Sequence, residues 1–221
     1  MREVFKAELE NIADELVEMA AKVSEAMRSA TEALENNDLE LAEKVIDADT
    51  EIDNMTADLD QRSAELLALQ APVAADLRVV ISALKMSVAL ERMGDLARHI
   101  ASLVRIRHPQ PALPEGFRDV FLRMGEAAIR IGEEMEQLLD NPGLRGVPLI
   151  NAIDEELDQL HLRVFALIAD SDHGALSPAQ IADITLLSRY FERFGDQAVN
   201  VSQRVEYLLT GSWVPDLSAK D

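Results

Sequence analysis

Cysteine is absent from all 221 residues, which excludes disulfides and thiolate metal sites; any metal chemistry has to use oxygen and imidazole. Aromatic residues make up only 4% of the chain, although 48% is hydrophobic, and Ala, Leu, Glu and Asp are abundant. That mix suits long helices and suits sheets poorly. Basic residues are also few: 21 Lys and Arg against 41 Asp and Glu give a formal charge of −20. Nucleic-acid phosphates would be repelled, so nucleic acid is not an expected partner. Most of the acidic excess is read as a solvated surface. No apolar run reaches the ~18 residues that a membrane span needs. Met1-Arg2-Glu3-Val4-Phe5 lacks the apolar core of a signal peptide, so the expected compartment is the cytoplasm. No Gly-rich phosphate loop, G-x-S-x-G, H-E-x-x-H or EF-hand loop occurs, and nothing resembles a nucleophile beside its base; no enzyme is expected.

What is present is helical periodicity. From Arg2 to Asn36, Leu9, Ile12, Leu16, Met19, Val23, Met27, Ala30 and Leu34 recur at spacings of three and four, the mark of one amphipathic helix. Asp38 is the natural N-cap of a second, Leu39 to Gln70, striped by Leu41, Ile52, Met55, Leu59 and Leu66. Pro72 fits the first turn of a third, which runs to Arg107. The segment 108–116, with three prolines and a glycine, reads as a linker. Helices then follow over Phe117–Asp140, Val147–Ala169 and Ser177/Pro178–Thr210, the last closed by Gly211. Residues 212–221 form a tail, with Trp213 as its docking point. The expected fold is all-α: two tandem, duplicated three-helix bundles of long antiparallel helices, over 1–107 and 117–211.

The duplication is legible in one motif. Leu90-Glu91-Arg92-Met93-Gly94-Asp95 returns as Phe191-Glu192-Arg193-Phe194-Gly195-Asp196, 101 residues on. Asp49-Thr50-Glu51-Ile52-Asp53 in the second helix likewise returns 105 residues on as Asp154-Glu155-Glu156-Leu157-Asp158 in the fifth. Two similarities in the same order indicate a repeat. In the third helix Val73, Leu77, Val80, Leu84 and Val88 form an apolar stripe, and its track continues into Glu91 and Asp95, with Arg98 nearby. Asp49 and Asp53 can come alongside that pair; Asp154, Asp158, Glu192 and Asp196 repeat the arrangement.

Carboxylates gathered in this way repel, and each raises its neighbour's pKa. Protons, Arg or Lys partners, or metal ions must offset them, and an all-oxygen set suits the hard cations Mg²⁺, Ca²⁺, Mn²⁺ or Fe³⁺. The plainer alternative is a solvated acidic face, with Arg92 and Arg193 as partners. Gly94 and Gly195 each cost about 1 kcal/mol against Ala in a helix, so they mark close packing or a functional need. His161, three residues after Asp158, and His99, four after Asp95, are edge residues or ligands. A di-iron oxidase would need Glu-x-x-His on two helices; only Asp158-x-x-His161 is present.

Over residues 3–210 the chain resembles the PhoU family. The resemblance rests on Asp76-Leu77-Arg78 and on both copies of the E-R-x-G-D motif, Glu91–Asp95 and Glu192–Asp196. It implies two three-helix bundles side by side, often dimeric, with multinuclear metal sites of iron, zinc, magnesium or manganese type. It implies negative regulation of the phosphate-starvation response and of phosphate uptake. The implied partners are the phosphate ABC transporter, through its ATPase component, and the phosphate-sensing histidine kinase. The implied metal residues are Glu91, Asp95, Glu192 and Asp196, with Asp49, Asp53, Asp154 and Asp158 as partners on the second and fifth helices. The alternative is a metal-free acidic helical adaptor. The second half departs by lacking Asp-Leu-Arg and by having Thr185-Leu186-Leu187-Ser188 where the third helix carries Lys85, so the two faces are expected to differ in partner contacts.

Overall fold

The computed structural model describes residues 2–172 and 174–213; His173, in the expected loop, and 214–221, in the expected tail, lie outside the described residues. Among the described residues there are six α-helices: α1 (Arg2–Asn36), α2 (Leu39–Gln70), α3 (Ala75–Arg107), α4 (Arg118–Asp140), α5 (Gly146–Ala169) and α6 (Pro178–Thr210). A single 3₁₀ turn, Glu115–Phe117, precedes α4. None of these helices is long and apolar enough to cross a membrane.

The caps follow the sequence signals. Asp38 accepts from the Leu41 N–H, and Ser177 and Gln180 form a reciprocal capping box in front of Pro178. Gly211 ends α6 at φ 75° with its N–H bonded to the Tyr207 carbonyl. One boundary differs from expectation: α3 begins at Ala75, three residues after Pro72. Ala71 and Ala74 both take positive φ, 42° and 51°, so the chain turns twice between α2 and α3 before any helix can start.

In α1 and α4 the periodic residues form the core as expected; Ile12, Met19, Val23, Met27, Met124, Ile131 and Met135 are all at or below 1% exposure. In α3 the expected stripe is not the core face. Val80 is buried, but Leu77 and Val88 are exposed, and Val73 precedes the helix and stands 74% exposed. The buried face carries Ala83, Met86, Leu90, Met93, Ala97 and Ile100 instead. The reason is that α3 packs on α1, α2 and α6 together, which leaves only a narrow outward strip.

The middle of the molecule is a ring of four helices: α1 packs on α3 and α4, and α6 on α3 and α4, with α2 outside the α1–α3 pair and α5 outside α4–α6. The α1–α4 crossing is close. A Cβ on Gly125 would fall 2.3 Å from Thr31 Cγ2, and one on Gly132 would fall 3.1 Å from Ser24 Oγ. Helices α3 and α6 run antiparallel. Arg107 binds Asp183, His99 stacks on Tyr190, and Arg78 lies over Tyr207 at 5.1 Å. Midway between these contacts, the two E-R-x-G-D turns lie at the same level. Trp213 docks as expected, edge-on to Tyr207 with ring centroids 5.5 Å apart.

Candidate metal centres

The first acidic group is assembled by α2 and α3. Asp49 is buried, Glu91 and Asp95 are half-buried, and Asp53 is exposed. Gly94 lets α2 approach: a Cβ there would fall 2.9 Å from Ile52 Cδ1 and 3.3 Å from Asp49 Oδ1. The missing side chain thus makes a cradle for the aspartate of the neighbouring helix. Burial pushes the Glu91 carboxyl up, and the negative charges of Asp95 and Asp53 push it further; Arg92 opposes them. Asp49 is also raised, chiefly by burial and then by Asp53 and Asp95, against the pull of Arg98.

Arg98 is the counter-ion here. Its Nε lies 2.5 Å from Asp49 Oδ2, and its Nη2 donates to Asp95. The expected partner, Arg92, is exposed on another side of the helix. One residue is 100° of rotation, so Arg92 cannot share the face of Glu91, whereas Arg98 at i+3 from Asp95 does.

The second group is built in the same way from α5 and α6. Glu192 is buried, and Asp154, Asp158 and Asp196 are half-buried. A Cβ on Gly195 would fall 2.6 Å from Asp154 Oδ1 and 2.9 Å from Leu157 Cδ1, a closer cradle than at Gly94. The counter-ion differs. Val199 occupies the place equivalent to Arg98, and the cation comes from the turn before the motif, where Arg189 Nη1 lies 2.5 Å from Glu192 Oε1. Arg193, like Arg92, is exposed.

His161 does not complete a ligand set in this arrangement. Its Nδ1 lies 3.1 Å from Ser188 Oγ, and its ring meets Phe165 edge-on. Burial lowers its pKa, Arg189 adds to that, and Asp158 opposes it. His99 faces α6, stacked on Tyr190 at 5.2 Å. Among the described residues no three Asp, Glu or His side chains converge as metal ligands do. The donor chemistry nevertheless fits a hard cation. In the first group one guanidinium, Arg98, bridges two of the four carboxylates, Asp49 and Asp95, and Asp49 and Glu91 are pushed towards protonation, chiefly by burial and then by their acidic neighbours.

A family model for the PhoU domain matches the chain twice, over residues 16–104 and 121–205. The chain belongs to the PhoU family. It is 39% identical over 215 residues to phosphate-specific transport system accessory protein PhoU homolog 2 of Mycobacterium tuberculosis, covering 96% of this chain and 100% of that one. It is 38% identical over 218 residues to PhoU homolog 1 of Mycobacterium leprae, covering 98% and 97%. Among solved structures it is similar to the phosphate transport system regulatory protein PhoU of Streptococcus pneumoniae, at 27% identity and TM-score 0.82, over 96% of this chain and 99% of that one. PhoU of Pseudomonas aeruginosa gives 26% identity and TM-score 0.84, over 94% and 100%. Both E-R-x-G-D copies fall inside the two matched PhoU domains.

Proposed function

We propose that this PhoU-family chain is an accessory protein of the phosphate-specific transport system that works in the cytoplasm by binding and not by catalysis. It holds phosphate uptake and the phosphate-starvation response in check, linking the ATPase component of the phosphate ABC transporter to the phosphate-sensing histidine kinase. Near-full-length identity to proteins named as accessory factors of that system supports the transport role. The carrying observation for mechanism is the repeated cradle in which Gly94 and Gly195 admit Asp49 and Asp154 against the acidic turns of α3 and α6.

In this reading Asp49, Asp53, Glu91 and Asp95 hold one set of hard cations, and Asp154, Asp158, Glu192 and Asp196 hold the other. Iron, zinc, magnesium and manganese are the candidate metals. When bound, a cation cancels the repulsion among these carboxylates and presents positive charge to an acidic partner. The chain's own residues bring the acids together and hold α2 on α3 and α5 on α6. A homodimer fits this role.

Metal analysis of the purified protein is the test, comparing wild type with Asp49→Asn/Glu91→Gln and Asp154→Asn/Glu192→Gln. Each double variant is expected to lose about half of the bound metal and the associated thermal stabilisation. Unchanged content in both would remove these sites from consideration. A second reading, the metal-free acidic adaptor, is favoured by Arg98, which already bridges Asp49 and Asp95. It predicts no metal retention and no stabilisation by added Mn²⁺, Mg²⁺ or Fe³⁺.

A further inference from the structure

The outward strip of α3 is unlike the rest of the surface. Leu77, Ile81 and Val88 are 39%, 40% and 38% exposed, and Leu84 between them is half-buried. Their spacing of four, three and four is that of the seam residues of a coiled coil. Arg78, Lys85 and Arg92 flank the seam at seven-residue intervals, where a coiled coil places the charges that choose its partner. Against this strip α6 forms the other wall of a groove of about 490 Å³, lined by Ile81, Leu84, Lys85, Val88, Arg92 and Arg204 among others, with no carboxylate among the described lining residues. In a chain of charge −20 this is a local inversion of sign.

The cations are also held ready. Lys6, Lys22 and Lys44 are each ion-paired with a glutamate, whereas Lys85 makes no ion pair among the described residues. Arg78 and Arg204 rest on Tyr207 and Trp213, at 5.1 and 3.8 Å, and the two rings meet edge-on. Stacking fixes a guanidinium without consuming its N–H donors. The repeat does not reproduce the groove. One hundred and one residues on, Leu186 stands for Lys85, and Arg189 stands for Val88 but is taken by Glu192.

We propose that the α3–α6 groove from Leu77 to Arg92 is a docking site for one amphipathic helix of a partner protein, apolar along its seam and acidic on its flanks. The strip spans about 22 Å, the length of four helical turns. Leu77, Ile81, Leu84 and Val88 pack against the partner's seam, and Arg78, Lys85, Arg92 and Arg204 meet its carboxylates. A single helix seated on Leu77, Ile81, Leu84 and Val88 meets the cationic flank and ends where the track turns acidic at Glu91. An anionic membrane would instead have to approach the whole acidic molecule, at an electrostatic cost that a narrow peptide avoids. This deepens the docking role proposed above by giving the partner's chemistry, and it requires no metal.

The probe is a synthetic peptide of about three heptads with Leu on the seam and Glu on the flanks, set against its Lys-for-Glu counterpart. Binding is measured by fluorescence anisotropy with chelator present, on wild type, Lys85→Glu, Val88→Asp and the charge-matched control Lys44→Glu. Saturable binding of the Glu peptide is expected, weakened at least about tenfold by Lys85→Glu and by Val88→Asp, unchanged by Lys44→Glu, and weakened by salt. Carbodiimide is expected to couple peptide carboxylates to Lys85. Both substituted side chains are exposed, and metal content, expected to be unchanged in them, separates this test from that of the acidic centres. The proposal is overturned by no binding of the Glu peptide, by equal binding of the Lys peptide, or by cross-links confined to other lysines. Anionic phospholipid vesicles that displace the peptide would overturn it in favour of a membrane surface. Self-association abolished by Lys85→Glu would overturn it in favour of a second copy.

Discussion

Replacing Gly195 with Ala should cost more stability than replacing Gly94, although the two occupy equivalent places in the repeat. Either change gains about 1 kcal/mol of helix propensity. At Gly94 the new Cβ would meet Ile52 Cδ1 at 2.9 Å and Asp49 Oδ1 at 3.3 Å. The closer atom is the tip of a flexible side chain, and turning it off its rotamer costs about 0.5–1.5 kcal/mol, so the net effect lies near zero. At Gly195 the Cβ would lie 2.6 Å from Asp154 Oδ1 and 2.9 Å from Leu157 Cδ1. Two groups must move, Leu157 is fully buried, and overpacking of this kind costs about 1–3 kcal/mol. The net loss is therefore about 0–2 kcal/mol, equivalent at this chain length to as much as ~4–8 °C in Tm. Urea unfolding with a constant m-value is the assay, and Gly116→Ala, whose Cβ meets nothing within 4 Å, is the control. Gly195→Ala stabilised by the full propensity gain would refute the cradle, because it would mean that Asp154 does not need the space.

Arg98→Leu should destabilise the protein by about 1–3 kcal/mol, since it strips the charge-assisted partner from buried Asp49 and from Asp95; thermal melts read this, and added Mn²⁺ should recover more in the variant than in wild type if a cation takes over the guanidinium's role. Glu35 is raised chiefly by burial and further by Glu126 and Glu32, against Arg118, so its folded-state pKa lies above the unfolded one. The native state therefore binds the proton more tightly, and the ionised form costs stability at neutral pH, a cost recovered as the pH falls through the raised value. Glu35→Gln should accordingly melt higher than wild type at pH 7, and the gap should close by about pH 4; a gap that persists there would refute the assignment.

The helices were largely legible because α1 and α4 each bury one face, and a one-sided burial writes a clean period into the sequence. Helix α3 was misread for the opposite reason. With α1, α2 and α6 around it, buried residues such as Ala83, Met86, Ala97 and Ile100 lie on several sides, so the most regular apolar row left was the outward one, Leu77–Val88. The α2–α3 turn was illegible in a different way: Ala71 and Ala74 take positive φ, and alanine carries no signal for it.

The eight carboxylates of the candidate centres could be named from the repeat, but their counter-ions could not be named from adjacency. Arg92 and Arg193 sit beside the glutamates in sequence and point elsewhere, while Arg98 and Arg189 sit three residues from an acid and reach it. The repeat itself holds the useful signal. Shifting the chain by 101 residues sets Arg98 against Val199 and Val88 against Arg189. In the first centre Arg98, three residues after the motif, reaches Asp49 and Asp95; in the second Arg189, three residues before Glu192, reaches that glutamate. At the same shift Val88 stays apolar on α3 while Arg189 is engaged on α6, and Lys85, which makes no ion pair among the described residues, stands against Leu186. Position 88 is thus apolar and open on α3 where its counterpart on α6 is a cation that Glu192 takes, which is why the cationic groove is built on the α3 wall and the repeat does not mirror it.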